Sequence, residues 1–430
     1  MNSVLRRVGR SKKKRQLGKV RVVSREEYAE GELDAKVEMI RSLVPLGLMH
    51  VQELLDEEVT ALAGERYARK EAARGGRRHG SNPGTVALAG QRVPIRVPRV
   101  RSVNGSEIPL RSYAAVSGDH EVNDLLLKRV LYGISCRNYE AAAAAIPGAI
   151  GLSSSTVSRT FVRASATKLR EFQERDLSHE EVVALFLDGK MFADTTMVVA
   201  LGITAAGDKR FLGFVETDTE NEKVLVPFLR SLLERGLDIS TGILVIIDGA
   251  KGLRAAVRTA FKGRAAVQRC QWHKRENVLS YLSKSEHAIY RQRLQRAYNR
   301  PTYKEAKREL EKLCAELEDR NQSAAASLAE GMEETLTLHR LGVYGVLGAS
   351  LKTTNCLESV NALVEERCAK VDHWKNSSQR QRWLATALID IEPRLRKTKG
   401  YRHLPQLRTA LHKELGVQAA TSTESRKQAA

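Results

Sequence analysis

The sequence predicts an α/β protein whose mixed β-sheet is interrupted by an all-helical insertion and preceded by basic and helical elements. Three observations indicate this fold class. Strands that are apolar on both faces alternate with amphipathic helices from residue 181 onward. A long helix-rich stretch then separates the last of these strands from a further apolar helix, and basic residues are concentrated near the N-terminus. The chain has 430 residues, 42 % of them hydrophobic, which is enough for two or three domains.

The composition narrows the class of protein and its partners. Lys and Arg number 71 against 51 Asp and Glu, a formal net charge of +20, which favours an anionic partner such as nucleic acid. The longest apolar runs, at 182–187 and 243–247, are far shorter than the roughly 20 residues of a membrane helix, and no secretory signal is evident. Five unevenly spaced cysteines do not suggest a disulfide framework. We expect a cytoplasmic protein without a membrane partner; a generally basic protein without nucleic acid remains the alternative.

Basic segments dominate the first 120 residues. Residues 1–24 carry nine Lys or Arg and no acid, which predicts a disordered arm over 1–30. In the DNA-binding region predicted over 31–120, the Gly and Pro density of 75–84 indicates a loop. Alternation at 91–101 favours an edge strand or ribbon, and its two prolines argue against a central strand. The arginines expected to hold a DNA backbone here are Arg77, Arg78, Arg96, Arg99 and Arg101.

A helical domain is predicted over 121–178. Apolar residues at helical spacing predict helices at 123–133, 137–146 and 156–168, the last with serine N-caps. A helix, a short turn and a capped helix resemble a helix-turn-helix, although any small helical bundle produces the same pattern. The polar side of the third helix would then contact DNA through Ser155, Ser158, Arg159 and Arg163.

The strands that follow have a recognisable order. Strands at 182–189, 197–204 and 210–217 are joined by short connections and predict an antiparallel meander. A helix at 223–235, a strand at 243–249, another helix and a strand at 265–269 come next. This order is the one expected of a ribonuclease-H-like mixed sheet, in which the ends of the first and fourth strands are neighbours.

Two aspartates follow these apolar strands at matching places. Asp188 and Asp248 would lie side by side at the carboxyl end of the sheet. Two adjacent carboxylates are costly unless a divalent cation lies between them, and oxygen ligands suit Mg²⁺. The alternative is structural, because Asp-Gly after a strand is a common turn and Asp248 would also serve as a helix cap.

The segment between Asp248 and a third candidate acid is too long to be one loop. Helical patterns at 276–299, 303–320 and 323–339 predict a helical insertion over 276–345, between core parts at 179–275 and 346–400, with a tail at 401–430. Residues 353–361 open a helix that Thr354 or Asn355 would cap. Its first turn carries Glu358; by sequence alone such a Glu is most often a dipole-favoured surface residue.

Cys270 and His273 stand at the entrance of the insertion. One Cys and one His are at best half a zinc site, and no second pair at zinc-like spacing is evident. We therefore expect no structural zinc. Packing, or orientation of the neighbouring active site, is the role expected of this pair.

Together these motifs resemble mutator-type transposases of bacterial insertion sequences, over residues 40–400. The residues that carry the resemblance, in order, are Leu187-Asp188-Gly189-Lys190, Met197 to Gly202, Val245 to Gly252, Cys270-Gln271-Trp272-His273-Lys274, and Thr353-Thr354-Asn355 with Glu358, Ser359 and Asn361. The resemblance implies an Asp-Asp-Glu triad of catalytic metal ligands at Asp188, Asp248 and Glu358. It makes Cys270 and His273 a family motif whose role the sequence does not reveal.

The resemblance also implies an activity. The expected enzyme is a Mg²⁺-dependent transposase, with Mn²⁺ as a possible substitute, that cleaves element ends and joins the 3′-OH to target DNA. Its partners would be double-stranded DNA, with terminal inverted repeats and a target, and at least one further copy of itself, in the bacterial nucleoid. Lys190, Lys251 and Arg254 are expected phosphate contacts near the acids. The alternatives are a ribonuclease-H-like nuclease that cuts without joining and a non-catalytic DNA-binding regulator.

Overall fold

The computed structural model describes residues 33–66, 75–88, 91–118, 120–133, 154–218 and 221–416. The predicted basic arm, the helix predicted at 137–146 and the residues after 416 lie outside this described part. The chain divides into two compact units, one holding the described residues up to 118 and the other those from 120 onward. No helix among the described residues has both the length and the apolarity that crossing a membrane requires.

The first unit is a helix packed on one face of a small antiparallel sheet. Its elements are α1 (Leu33–Ala63), β1 (Gly76–Leu88), β2 (Gln91–Ser102), β3 (Glu107–Ile108) and α2 (Arg111–Val116), with strand order β1-β2-β3. Leu55 and Val59 of α1 are fully buried against Val100 and Leu110. The apolar side of β2 therefore faces α1.

The prediction of a loop at 75–84 is wrong, because all but the first of these residues belong to β1. They pair with β2 along its length, with one irregularity between Arg78 and Ser81, where Gly80 has a φ of +72°. β1 lies at the edge of its sheet, and a bulge on an edge strand accommodates Gly and Pro that a central strand would exclude. The Gly and Pro density therefore marks a bulged edge strand rather than a turn.

The prediction that β2 is not a central strand is also wrong, since β1 and β3 flank it. The reason is the shortness of β3, which pairs only with Val100 and Arg101. Pro94 and Pro98 precede that pairing, so the missing N–H groups interrupt no ladder to β3.

The second unit is built on a five-stranded mixed sheet with the order β6-β5-β4-β7-β8. The strands are β4 (Val182–Phe192), β5 (Thr195–Thr204), β6 (Lys209–Thr217), β7 (Ile243–Ile247) and β8 (Ala265–Arg269). β4, β5 and β6 are antiparallel neighbours, β7 pairs in parallel with β4, and β8 pairs in parallel with β7. The predicted meander and the adjacency of the first and fourth strands are confirmed.

Helices cover both faces of this sheet, which is why its strands are apolar on both sides. One face, with Leu185 and Leu187, packs against α5 (Glu222–Glu234) and α6 (Lys251–Phe261). The other face, with Ala184 and Phe186, shares its core with helices that include α3 (His120–Leu131), α4 (Ser154–Gln173), α14 (Asn355–Cys368), α15 (Ser377–Ile391) and α16 (Leu404–Glu414).

Every element between β8 and α14 is a helix. These are α7 (Gln271–Leu279), α8 (His287–Tyr298), α9 (Tyr303–Arg320), α10 (Gln322–Ala329), α11 (Met332–Thr335), α12 (Thr337–Arg340) and α13 (Tyr344–Leu351). Much of the segment has an apolar core of its own, in which Leu294, Leu310 and Leu317 are fully buried. Helical content was predicted correctly here.

Two of the predicted helices in this segment are broken. The helix predicted over 276–299 is interrupted at 280–286, where the Ser283 N–H and hydroxyl both donate to Glu286 Oε2 and so compete with helical bonding. The helix predicted over 323–339 is interrupted at Gly331, whose φ of +66° cannot continue an α-helix.

Glu216 connects β6 to α15 through hydrogen bonds. Its carboxylate accepts hydrogen bonds from Ser377, from Gln381 (3.0 Å) and from Arg380 Nε (2.8 Å). Burial raises the pKa of Glu216, but these donors outweigh it and hold the pKa below its ordinary value of 4.5. The ionised form therefore stabilises the folded state.

We expect Glu216→Gln to lower the free energy of unfolding at neutral pH by about 2 kcal/mol, because the amide donates towards groups that are themselves donors. A lowered folded-state pKa means that the difference from wild type is full above pH 4.5 and disappears as the pH falls through the folded-state value. Urea unfolding at several pH values measures it. Glu311→Gln is the control, since Glu311 is 57 % exposed and its ion pair with the partly exposed Lys307 is worth at most about 1 kcal/mol. A pH-independent difference for the Glu216 variant would contradict the assignment.

Candidate active site

Asp188 and Asp248 lie where the parallel pairing of β4 with β7 ends, although β4 itself continues to Phe192. The parallel register pairs Leu187 of β4 with Ile247 of β7, and each aspartate is the next residue in its strand direction. Asp188 is still paired with Val199 of β5 and is 9 % exposed. The topology therefore brings two carboxyl groups to one edge of the sheet.

Asp248 shapes the turn that leaves β7. Its Oδ1 accepts a hydrogen bond from the Ala250 N–H (2.9 Å). α6 begins at Lys251, and its N-cap residue Ala250 makes no side-chain capping bond. Asp248 thus stabilises the turn before the helix. It is not the N-cap of α6, because that position belongs to Ala250.

Glu358 projects from the first turn of α14. Leu357, Val360 and Val364 are buried in the core, so the carboxylate lies off the apolar stripe and is 43 % exposed. Thr354 occupies the N-cap position, as one of the two predicted caps, but its hydroxyl makes no capping bond.

That hydroxyl contacts the Cys270–His273 pair instead. Thr354 Oγ1 lies 3.3 Å from His273 Nδ1 and 3.8 Å from Cys270 Sγ, and His273 Nε2 lies 3.9 Å from Glu358 Oε1. Thr354 is fully buried. A buried hydroxyl and an imidazole therefore connect the start of α7 to the carboxylate on α14.

Backbone hydrogen bonds connect the segment that begins at Cys270 to the segments that carry Asp248 and Glu358. The Cys270 N–H donates to Ile247 O (2.7 Å), just before Asp248, and the Gln271 N–H donates to Lys352 O (2.9 Å), just before Thr354. The segment that carries the Cys-x-x-His pair is thus bonded to both acid-bearing segments.

The surroundings of His273 favour its protonated form. Burial lowers the pKa of His273, but the hydrogen bond with Cys270 and the negative charges of Cys270, Asp188 and Asp248 raise it to about 9. In the same pair, burial raises the pKa of the Cys270 thiol, and the contacts with His273 lower it overall. An imidazolium beside three carboxyl groups reduces their mutual repulsion.

The donor set is suited to a hard cation. Carboxylate oxygens are the ligands that Mg²⁺ and Mn²⁺ prefer. Within the described ranges, no three His, Cys, Asp or Glu side chains are close enough together to enclose an ion. Asp188, Asp248 and Glu358 therefore share the surroundings of His273 without forming a closed cage.

The three expected phosphate contacts near the acids lie on separate elements. Lys190 follows Asp188 on β4 and forms an ion pair with Glu365 (2.7 Å). Lys251 is the exposed first residue of α6, and Arg254, on the next turn, pairs with Glu334. Lys190 and Arg254 therefore have anionic partners within the protein.

The predicted polar face of α4 is exposed at all four positions, Ser155, Ser158, Arg159 and Arg163. Val157 and Phe161 on the other side are buried. The helix predicted before α4 lies outside the described residues, so the helix-turn-helix itself remains a prediction.

The five arginines of the first unit that were predicted to hold DNA differ in their surroundings. Arg78 donates to Gly64 O (2.9 Å) and to Thr60 at the end of α1, and Arg99 forms a two-pronged ion pair with Glu107. Both guanidinium groups are thus bound within the unit.

Arg96, by contrast, is exposed. Arg77 is also exposed and stands directly across from Arg101 in the strand register. Like charges facing each other on a sheet are unfavourable, and an anion would relieve this repulsion. The unit also has a cavity of about 560 Å³ whose lining includes Arg66, Arg78, Arg96, Arg99 and Asp56.

Two features of the site were missed by reasoning from the sequence. One is the inward-facing hydroxyl of Thr354, and the other is Arg269, a 6 % exposed arginine whose guanidinium lies against Gly249. The available signal for Arg269 was a pair of polar residues, Gln268 and Arg269, at the end of a strand that is otherwise apolar.

Comparisons with known proteins identify a family for this chain. The family model described as "Transposase, Mutator family" matches residues 17–397. Relatives include the transposase for insertion sequence element IS406 of Burkholderia multivorans, 29 % identical over 84 % of this chain and 92 % of the relative. The transposase for IS905 of Lactococcus lactis is 26 % identical over 79 % and 86 %, and that for IS256 in transposon Tn4001 of Staphylococcus aureus is 26 % identical over 69 % and 76 %.

The match of the family model spans most of the chain and includes all three acids and the Cys-x-x-His pair. The chain belongs to the Mutator family of transposases.

Proposed function

We propose that this protein is the transposase of an insertion sequence, with a ribonuclease-H-like core that cleaves the ends of its element and joins the freed 3′-OH to target DNA. The observation that supports the proposal is the adjacency of Asp188 and Asp248 after the parallel pairing of β4 with β7, with His273 near both and its Nε2 3.9 Å from Glu358 Oε1. Family membership and the names of the relatives, all transposases of insertion sequences, support it.

Asp188, Asp248 and Glu358 are the residues that would hold Mg²⁺ or Mn²⁺. When bound, such an ion supplies Lewis-acid stabilisation of the phosphate oxygens and favours deprotonation of an attacking water or hydroxyl. The protein itself holds these acids in place. β4 and β7 position the two aspartates, and α14 positions the glutamate.

The reaction needs no covalent protein–DNA intermediate. Water attacks the scissile phosphorus, a new P–O bond forms, and the bond to the 3′ oxygen breaks to leave a 3′-OH. That hydroxyl then attacks a phosphodiester of target DNA, with loss of the target's own 3′ oxygen. Lys251, which is exposed, would help to hold the phosphates, together with Lys190 and Arg254.

Replacement of each acid by its amide should abolish cleavage of DNA that carries the element ends. For Asp188→Asn, Asp248→Asn and Glu358→Gln we expect a loss of at least about a thousandfold, because the amides remove the negative charge on which metal binding depends. The measurement is gel-resolved nicking with Mg²⁺, alongside end binding by mobility shift, which should be retained.

Glu365→Gln is the matched control, since this carboxylate lies on the same helix but pairs with Lys190. Retained cleavage by any of the three amide variants would refute the assignment of that residue. Wild-type cleavage without joined products would instead indicate a nuclease.

We further infer that Thr354 and His273 orient Glu358. Thr354→Val keeps the shape of the buried side chain but removes the hydroxyl that contacts His273 and Cys270. Cleavage should fall about tenfold, with a loss of only about 1 kcal/mol in stability. Thr354→Ser restores the hydroxyl and should recover most of the activity. If the serine variant were as inactive as the valine variant, the hydroxyl would not be the cause.

We call the part of the first unit that exposes Arg77 and Arg96 the DNA-holding surface, and we propose that it contacts the DNA backbone. Arg96→Ala should weaken binding of any duplex and reduce the slope of log affinity against log salt concentration by about 1, since one phosphate contact is lost. Lys312→Ala is the charge-matched control, as Lys312 is exposed on the helical insertion. Fluorescence anisotropy at several salt concentrations measures both. An equal effect of both substitutions would show that only net charge matters.

A further inference from the structure

Arg269 is the last residue of β8 and lies between two chain segments that are distant in sequence. It is 6 % exposed and pairs in register with Ile247, the residue before Asp248. Its guanidinium extends from the catalytic sheet to the loop between α10 and α11 of the helical insertion. Nη1 donates to Glu330 O (3.2 Å), and Nη2 lies 3.5 Å from Glu330 Oε2.

Two glycines make room for this guanidinium, because a side chain at either position would collide with it. A Cβ on Gly249 would lie 2.7 Å from Nη2 and closer still to Nε, and a Cβ on Gly331 would lie 2.6 Å from Nη1. Both glycines have positive φ, +110° and +66°, so both backbones adopt conformations that side chains disfavour. Gly249 directly follows Asp248, whereas Gly331 belongs to the insertion. The guanidinium is therefore in contact with the turn of a catalytic acid on one side and with the insertion on the other.

The surrounding contacts hold the insertion side of this arrangement in place. Lys274 is fully buried, donates to Ser327 O and lies 3.8 Å from Glu330 Oε2. Gln268, also fully buried, donates to Thr335 O (2.9 Å) on the other side of Gly331. The loop that receives Arg269 is thus bonded both before and after its glycine.

We propose that Arg269 is a positioning residue for Asp248, and that through it the packing of the helical insertion sets the conformation of the Asp248–Gly249 turn. The inference rests on the proposed role of Asp248. It predicts that a change at Gly331, which touches neither the acids nor the DNA-holding surface, alters cleavage through Arg269.

A double-mutant cycle tests this coupling. Arg269→Met, which keeps the apolar stem and loses the guanidinium, should lower cleavage per folded molecule about tenfold. It should also accelerate amide hydrogen exchange in a peptide covering 248–252, where the Ala250 N–H is bonded to Asp248. Gly331→Ala should lower cleavage much more in the wild-type background than in the R269M background. The backbone cost of alanine at positive φ is common to both backgrounds and cancels.

Arg235→Met is the matched control. Arg235 is also a partly buried arginine that donates to backbone carbonyls, those of Phe172, Gln173 and Leu212, but it contacts neither Gly249 nor the insertion. We expect a loss of thermal stability similar to that of R269M, with cleavage per folded molecule and exchange at 248–252 unchanged. Should R269M not fold, the cycle is run with R269K, which keeps the charge and the stem but lacks the planar group.

Additive effects of the two substitutions, or unchanged exchange at 248–252 in R269M, would overturn the inference. Asp248→Asn in the same assay separates this failure from that of the proposed function. If D248N cleaves normally, the catalytic assignment is wrong. If D248N is inactive and R269M cleaves as wild type does, only the positioning role is wrong.

Discussion

The parallel pairing of β4 with β7 is the constraint on which the site depends. It brings Asp188 and Asp248 to adjacent positions, and two neighbouring carboxylates are unfavourable without a compensating charge. His273, in the first turn of α7 where the helical segment begins, offsets this: burial lowers its pKa, but Cys270 and the two aspartates raise it overall. The insertion therefore contributes directly to the electrostatics of the sheet edge, and its first helix has to be held in a fixed position relative to both strands.

Buried polar contacts provide that fixed position. Gln268 donates to Thr335 O and accepts from the Leu338 N–H, and Thr337 donates to Val267 O. Buried hydrogen bonds require particular partners, because an unsatisfied polar group costs about 1–3 kcal/mol, whereas an apolar interface tolerates sliding. The contacts between β8 and the insertion thus specify one orientation. This specificity explains why polar side chains occur at the end of an apolar strand.

Much of this architecture could be predicted from the sequence, because strands buried on both faces give continuous apolar runs and their order determines which ends meet. Asp188 and Asp248 were placed together on that basis. The bulged strand at 76–88 was not predicted, since its Gly and Pro content is typical of loops and only pairing with β2 reveals its structure. The orientation of the Thr354 hydroxyl depends on partners on α7, far away in sequence, so local capping rules gave the position but not the bond.

The same tertiary contacts change how the excess of 20 positive charges is understood. Arg78, Arg99, Arg269 and Lys274 are all bound to carbonyl or carboxylate oxygens inside their own units. Such groups contribute to net charge and to long-range attraction of DNA, but they are not available for direct phosphate contact without loss of internal bonds. Exposed arginines such as Arg96 remain the better candidates for contact. Net charge therefore indicates the kind of partner, while the internal bonds decide which residues touch it.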